Sequence, residues 1–127
     1  MLEDLLCIPE DRINTVSDGE TISIGDKTIM FIHAPWVHWP ETMVSYIKED
    51  RILFTCDFFG SHLATTDLYV TDKARVYEAA KRYYSEIMMP FRKAIQKNLE
   101  KIKDYSIDYV APSHGPIYRE PSFIINA

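Results

Sequence analysis

The sequence is short of the features that mark several protein classes. It has two cysteines, Cys7 and Cys56, far apart and in no Cys-x-x-Cys pair. That excludes a disulfide framework and a cysteine-built zinc site. It lacks an excess of basic charge: 14 Lys and Arg stand against 19 Asp and Glu, for a net charge of −5. A phosphate-backbone binder needs the opposite balance, so nucleic acid is excluded as a partner. No apolar run approaches the roughly 18 residues of a membrane span, and Met1-Leu2-Glu3-Asp4 is acidic where a secretory signal is basic. No membrane role and a cytoplasmic location are therefore expected. There is no internal repeat, low-complexity tract or linker, and 127 residues leave no room for a second full domain.

What is present is core material. Hydrophobic residues make up 46% of the chain, aromatics 13% and charged residues 26%, enough to fold or to complete a fold. Thr21 to Ile24 and Lys27 to Ile32 are β-prone runs joined by Gly25-Asp26, which reads as a hairpin with a two-residue turn. Met43 to Ile47 and Ile52 to Cys56 repeat the arrangement around Lys48-Glu49-Asp50-Arg51. The second of these runs is apolar enough for a central strand.

From Thr71, read as an N-cap, apolar residues recur at Val76, Ala79, Ala80, Tyr83 and Ile87, the spacing of an amphipathic helix. Pro90 breaks or kinks it before a second helical set at Phe91, Ile95, Leu99 and Ile102. Ile107 to Val110 reads as a short strand and Ser113-His114-Gly115-Pro116 as a loop. Ser122 to Ala127 reads as an apolar start that stops before completing an element.

Three of these strands run into a side chain with metal-binding chemistry: Ile32 leads to His38, Cys56 to Asp57, and Val110 to His114. Two imidazoles and a carboxylate suit iron, zinc or manganese, and strand-end loops are where sites assemble. An aspartate directly after an apolar strand also faces desolvation, which a cation would offset. Spacing alone leaves other assignments open. Asp57 is also suited to cap the Asp57-Phe58-Phe59-Gly60 turn, His38 to pack beside Trp36 and Trp39, and His114 to hydrogen-bond within its own loop. His62 reads as a further ligand, a supporting group or a solvent-facing residue, His33 as packing, and Tyr83 and Tyr84 as helix core.

Taken as motifs, three stretches resemble one family. Ala34-Pro35-Trp36-Val37-His38-Trp39-Pro40-Glu41-Thr42-Met43, then Ile52-Leu53-Phe54-Thr55-Cys56-Asp57-Phe58-Phe59-Gly60-Ser61-His62, then Ala111-Pro112-Ser113-His114-Gly115-Pro116-Ile117-Tyr118 are similar to the flavodiiron proteins, or A-type flavoproteins. The Tyr83 to Phe91 segment also looks like the family's helix, and the His-Trp-Pro run sets this branch apart from the zinc hydrolases of the same superfamily.

The resemblance implies an α/β (α+β) fold, the C-terminal half of a metallo-β-lactamase-like αββα sandwich with antiparallel and mixed strands and flanking helices. It implies that His38 and His114 are terminal imidazole ligands and that Asp57 bridges two irons, with His62 standing behind the ligands near the site. It further implies electron delivery from FMN to a diiron centre that reduces O2 to water or NO to N2O.

The chain also departs from the family pattern. None of its four histidines begins the family's His-x-Glu-x-Asp motif, and the chain stops at Ile124-Ile125-Asn126-Ala127 where the family continues into a flavodoxin-like domain. Residues 1–127 are thus expected to form a partial lactamase-like domain whose N-terminal half and FMN domain are absent. One carboxylate and two imidazoles leave each iron about one terminal ligand, short of the three or more such centres use. A lone sheet would also leave an apolar face open. The chain alone is therefore not expected to be a competent reductase. A partner chain supplying the missing half, or a second copy, is expected, with a rubredoxin-like or other electron donor in the full enzyme. Two rival readings are a non-catalytic interaction module of the same fold and a half-domain of a zinc-dependent hydrolase.

Overall fold

The turn at Gly25-Asp26 closes as its sequence implies. In the computed structural model, which describes residues 2–126, β1 (Thr21–Ser23) and β2 (Thr28–His33) run antiparallel, and the Ile24 N–H donates to the Lys27 carbonyl at 2.9 Å. Gly25 has φ +94°, the left-handed geometry that the first position of a type II′ turn requires. β3 (Met43–Ile47) and β4 (Ile52–Cys56) form the second hairpin at the bounds expected from sequence.

β5 (Tyr109–Pro112) joins the far edge parallel to β4, which gives the strand order β1-β2-β3-β4-β5. The expected strand at Ile107 to Val110 therefore lies two residues too early. Asp108 and Tyr109 both donate their N–H to the Arg51 carbonyl, and the ladder begins only at the Ile52–Tyr109 pair.

α2 (Lys73–Tyr83) and α3 (Arg92–Ile102) form the long crossover between β4 and β5. The N-cap of α2 is Asp72 and not Thr71, a correction to the sequence reading. The Asp72 carboxylate accepts the Arg75 N–H at 3.0 Å, while the Thr71 hydroxyl donates backwards to Asp67 at 2.9 Å. Between the two helices the chain keeps right-handed helical dihedrals, through a π-helical turn at Tyr84–Met88 and a 3-10 turn at Met89–Phe91. Pro90 has no N–H to donate, so the regular ladder fails there, as expected, without a full break. Short helices sit near the two ends, α1 (Leu2–Leu6) and α4 (Pro121–Ile125). α4 corrects the expectation of an incomplete tail: Pro121 opens a helical turn that buries Ile124.

Alternation along the strands separates the two faces of the sheet. Ile32, Val44, Tyr46, Leu53, Thr55 and Val110 are buried on one face, with Val76, Tyr83, Ile95 and Ile102 of the helices among the remaining core. Each full aliphatic burial of this kind stabilises the fold by about 1.5–3 kcal/mol. By register, the opposite face carries a row of Ile22, Ile29, Ile47, Ile52 and Tyr109, and beside it Phe31, Ser45, Phe54 and Ala111. On this second face Ile22, Met43 and Phe54 are exposed. Among the described residues, no helix is long and apolar enough to cross a membrane.

The cap assignment has a direct test. Asp72→Ala is expected to cost about 1 kcal/mol of stability in a denaturant titration, and Thr71→Ala clearly less, because only the first removes an acceptor from the helix N-terminus.

Candidate metal centre

Asp57 leaves β4 at a tight turn. The Phe58 N–H donates to the Thr55 carbonyl, the Gly60 N–H to the Asp57 carbonyl, and the Thr55 hydroxyl to the Phe58 carbonyl at 2.6 Å. The turn is thus closed by backbone groups and Thr55, which leaves the Asp57 carboxylate for other partners. The capping role that spacing left open for Asp57 falls to these groups.

His114 sits in the loop after β5, and this loop is anchored from both sides. Ser113 N–H donates to the Cys56 carbonyl and Ser61 N–H to the His114 carbonyl, both at 2.7 Å. Gly115 holds φ +121°, and a Cβ added there would overlap the hydroxyl oxygen of fully buried Ser61.

His38 comes from the loop between β2 and β3. Trp36 N–H donates to the Trp39 carbonyl at 2.8 Å, Val37 is buried, and the His38 ring lies 5.3 Å from Trp39 and 6.3 Å from Phe91 between centroids.

These three loops bring their side chains together. His38 Nε2 lies 3.2 Å from one Asp57 oxygen, and His114 Nε2 lies 3.1 Å from the other. The side chains are 22%, 15% and 43% exposed for His38, Asp57 and His114, a half-open position at the rim of the sheet. His62 does not reach the carboxylate pair by any contact the structure contains. Its ring instead packs edge-on against His114 at 4.7 Å and Tyr83 at 4.3 Å. His33 lies elsewhere, its Nε2 3.2 Å from the Val16 carbonyl.

Two neighbours were not read as site residues from sequence. Tyr83 belongs to the helix core as expected, yet it also faces the site. Burial first and the Asp57 charge second push its phenol up to about 12. The Cys56 thiol lies 3.8 Å from an Asp57 oxygen. Its place directly before Asp57 was the available signal; for Tyr83 there was none, since helical spacing reports burial and not what lies beyond it. Backbone strain gathers here too: Trp36, Cys56, Phe59 and His62 all have φ between 47° and 64°. Non-glycine residues in that region cost of order 1–3 kcal/mol each and cluster at functional sites.

The donor chemistry fits one part of a two-metal centre: a single carboxylate with one imidazole at each oxygen, and no thiolate among the three ligand-type groups. It does not amount to a complete cage. Among the described residues, no group of three or more His, Cys, Asp or Glu side chains is arranged to hold a metal ion.

Known proteins place this chain in a family. Residues 5–115 match the family described as ODP family beta lactamase. A nitric oxide reductase from Moorella thermoacetica is 38% identical over 117 residues, covering 88% of this chain and 29% of that protein. The rubredoxin oxygen:oxidoreductase of Desulfovibrio gigas superposes with a TM-score of 0.90 at 26% identity, covering 98% of this chain and 33% of that one. A variant of the flavo di-iron protein from Thermotoga maritima gives a TM-score of 0.87 at 32% identity, covering 98% and 31%. The chain therefore spans about a third or less of the length of these relatives. By family match and shared fold, this chain belongs to the ODP beta-lactamase family, in its flavodiiron branch.

Proposed function

We propose that this chain supplies His38, Asp57 and His114 to a non-haem diiron centre of a cytoplasmic flavodiiron-type oxidoreductase that reduces O2 to water or NO to N2O. The observation that carries the reading is the placement of two imidazole nitrogens 3.1 and 3.2 Å from opposite oxygens of one carboxylate. An ordinary His–Asp pair accounts for one imidazole, whereas a carboxylate between two His-ligated metals accounts for one at each oxygen. The remaining ligands, of the His-x-Glu-x-Asp kind, and FMN, from a flavodoxin-like domain, would come from outside residues 1–127. The apolar row on the second face of the sheet, with Ile22, Met43 and Phe54 exposed, supports a covering partner.

When bound, the iron pair would supply the redox chemistry of the reaction. The protein groups have separate tasks. Asp57 would supply the carboxylate oxygens that hold cations at the rim, and His38 and His114 would each add an imidazole nitrogen beside one of those oxygens. His62 supports the His114 ring from its edge and is a positioning group. Tyr83 remains a protonated phenol at neutral pH and limits water on the helix side. Trp39 and Phe91 flank His38 and shield it on the other side.

A second reading, a non-catalytic interaction module of the same fold, is favoured by the absence of a three-donor metal cage among the described residues. Iron content separates the two. Mixed anaerobically with Fe(II) and a polypeptide carrying His-x-Glu-x-Asp, the chain is expected to yield about two irons per complex and a raised Tm. Metal-free protein with an unchanged Tm would establish the second reading.

Within the complex, Asp57→Asn is expected to remove most of the bound iron and His62→Ala at most a minor fraction, as read by metal analysis. Equal losses would exclude the division of roles between them. Gly115→Ala is expected to lower stability by about 1–3 kcal/mol and iron content with it, since the His114 loop must move off Ser61. For Tyr83, the folded state holds a proton up to about pH 12 that an unfolded tyrosine releases near 10. The stability this represents is complete below pH 10 and lost as pH rises toward 12. Tyr83→Phe should therefore remove one late-ionising phenol from an ultraviolet absorbance titration.

A further inference from the structure

The backbone groups at the end of β2 show how the His38 loop is held. Alternate residues of β2 direct their N–H and C=O toward β1, and that edge needs a partner for each group. Phe31 finds its partners in backbone: its N–H donates to the Glu20 carbonyl, and its carbonyl accepts from Gly19. At His33 side chains take over. Its N–H donates to the Asp18 carboxylate at 2.7 Å, and its carbonyl accepts from the Lys101 ammonium at 2.6 Å. Lys101 also donates to Asp18 at 2.9 Å, which closes the group and lowers the Asp18 carboxyl pKa chiefly through that bond. Pro35 has no N–H, and its carbonyl accepts from the Asn98 amide at 3.2 Å.

Asn98 is 3% exposed, and its own side-chain oxygen has no hydrogen-bond partner. Burying an amide with an unpaired acceptor costs about 1–3 kcal/mol, so a leucine would suit this core position better on packing grounds alone. The cost is offset only by what the amide N–H does, and its hydrogen bond goes to Pro35.

We propose that Asn98 and Lys101, one turn apart on α3, are positioning residues that continue the missing β-ladder along His33 and Pro35 and so set the place of His38 at the rim. The two carbonyls they hold, that of His33 at the end of β2 and that of Pro35 in the turn beyond it, are two residues apart, a spacing that donors at i and i+3 of a helix can serve together. Immediately beyond them the chain turns, Val37 anchors in the core and His38 projects toward Asp57. The link to metal rests on the diiron reading; the positioning itself does not.

The test reads loop order and metal affinity separately on the full chain. Trp36 and Trp39 are its only tryptophans, and both lie in this loop, so their signals are easily assigned. In Asn98→Leu and in Lys101→Met, amide exchange at Trp36 is expected to speed up about tenfold, and cross-relaxation between the His38 and Phe91 rings to weaken, with global Tm little changed. Affinity for Co(II), the metal probe, measured with the His-x-Glu-x-Asp polypeptide of the iron experiment present, should fall in parallel. Lys101→Arg keeps a charged donor and should restore both readouts, a rescue that a purely packing role would not give. Unchanged exchange and ring contacts in both variants would overturn the proposal. A loosened loop with undiminished Co(II) affinity would overturn the role in placing His38. A loosened loop where even the wild-type complex with the His-x-Glu-x-Asp polypeptide binds no Co(II) would support the positioning and overturn the metal reading instead.

Discussion

The Asp57 carboxylate organises everything around it. It is mostly removed from water at the end of an apolar strand, and both of its oxygens are engaged by imidazole nitrogens from separate loops. A carboxylate in that position is costly unless its charge is answered. The surrounding structure is arranged to answer it: the turn after β4 is closed by other groups, the His114 loop is seated on Ser61, and the His38 loop is held against α3. The strained φ values at Trp36, Cys56, Phe59 and His62 are what this convergence costs the backbone. The buried face of the sheet and its two long helices supply the stability that tolerates them.

Much of this is legible in the sequence, for reasons that differ by element. The two hairpins are written in short-range signals, a Gly-Asp turn and alternating apolar runs, and they form at their expected places. The interruption of the regular helical ladder at Pro90 follows from a missing donor. The cap of α2 shifts from Thr71 to Asp72 because two adjacent residues both have capping chemistry and only the backbone geometry separates them. The strand near Val110 starts later than expected since its first pairing is set by Arg51, a residue distant in sequence.

The site is legible to a different depth. Residue type at strand ends marks His38, Asp57 and His114, and the fold brings them together. The positions of His62 and Tyr83 depend on how α2 lies over the loop after β4, which no local pattern reports. Asn98 is the clearest case of a residue whose role no sequence pattern reports. It occupies a core position of α3, between Ile95 and Ile102, where periodicity calls for an apolar side chain. Its polarity makes sense only once the Pro35 carbonyl is seen beside it.

The parallel pairing of β4 with β5 bears on how the protein reaches this state. A hairpin closes over a few residues, but β5 can reach β4 only after α2 and α3 have traversed one side of the sheet. Such a distant closure carries a large entropy cost that must be met before its contacts form, so it slows folding. The β1 to β4 meander, with Asp57 at its end, is therefore able to assemble early, while His114 arrives only with the closing strand. Asp57 and His114 thus meet only through that long-range closure, which ties the polar corner to the strand pairing most distant in sequence.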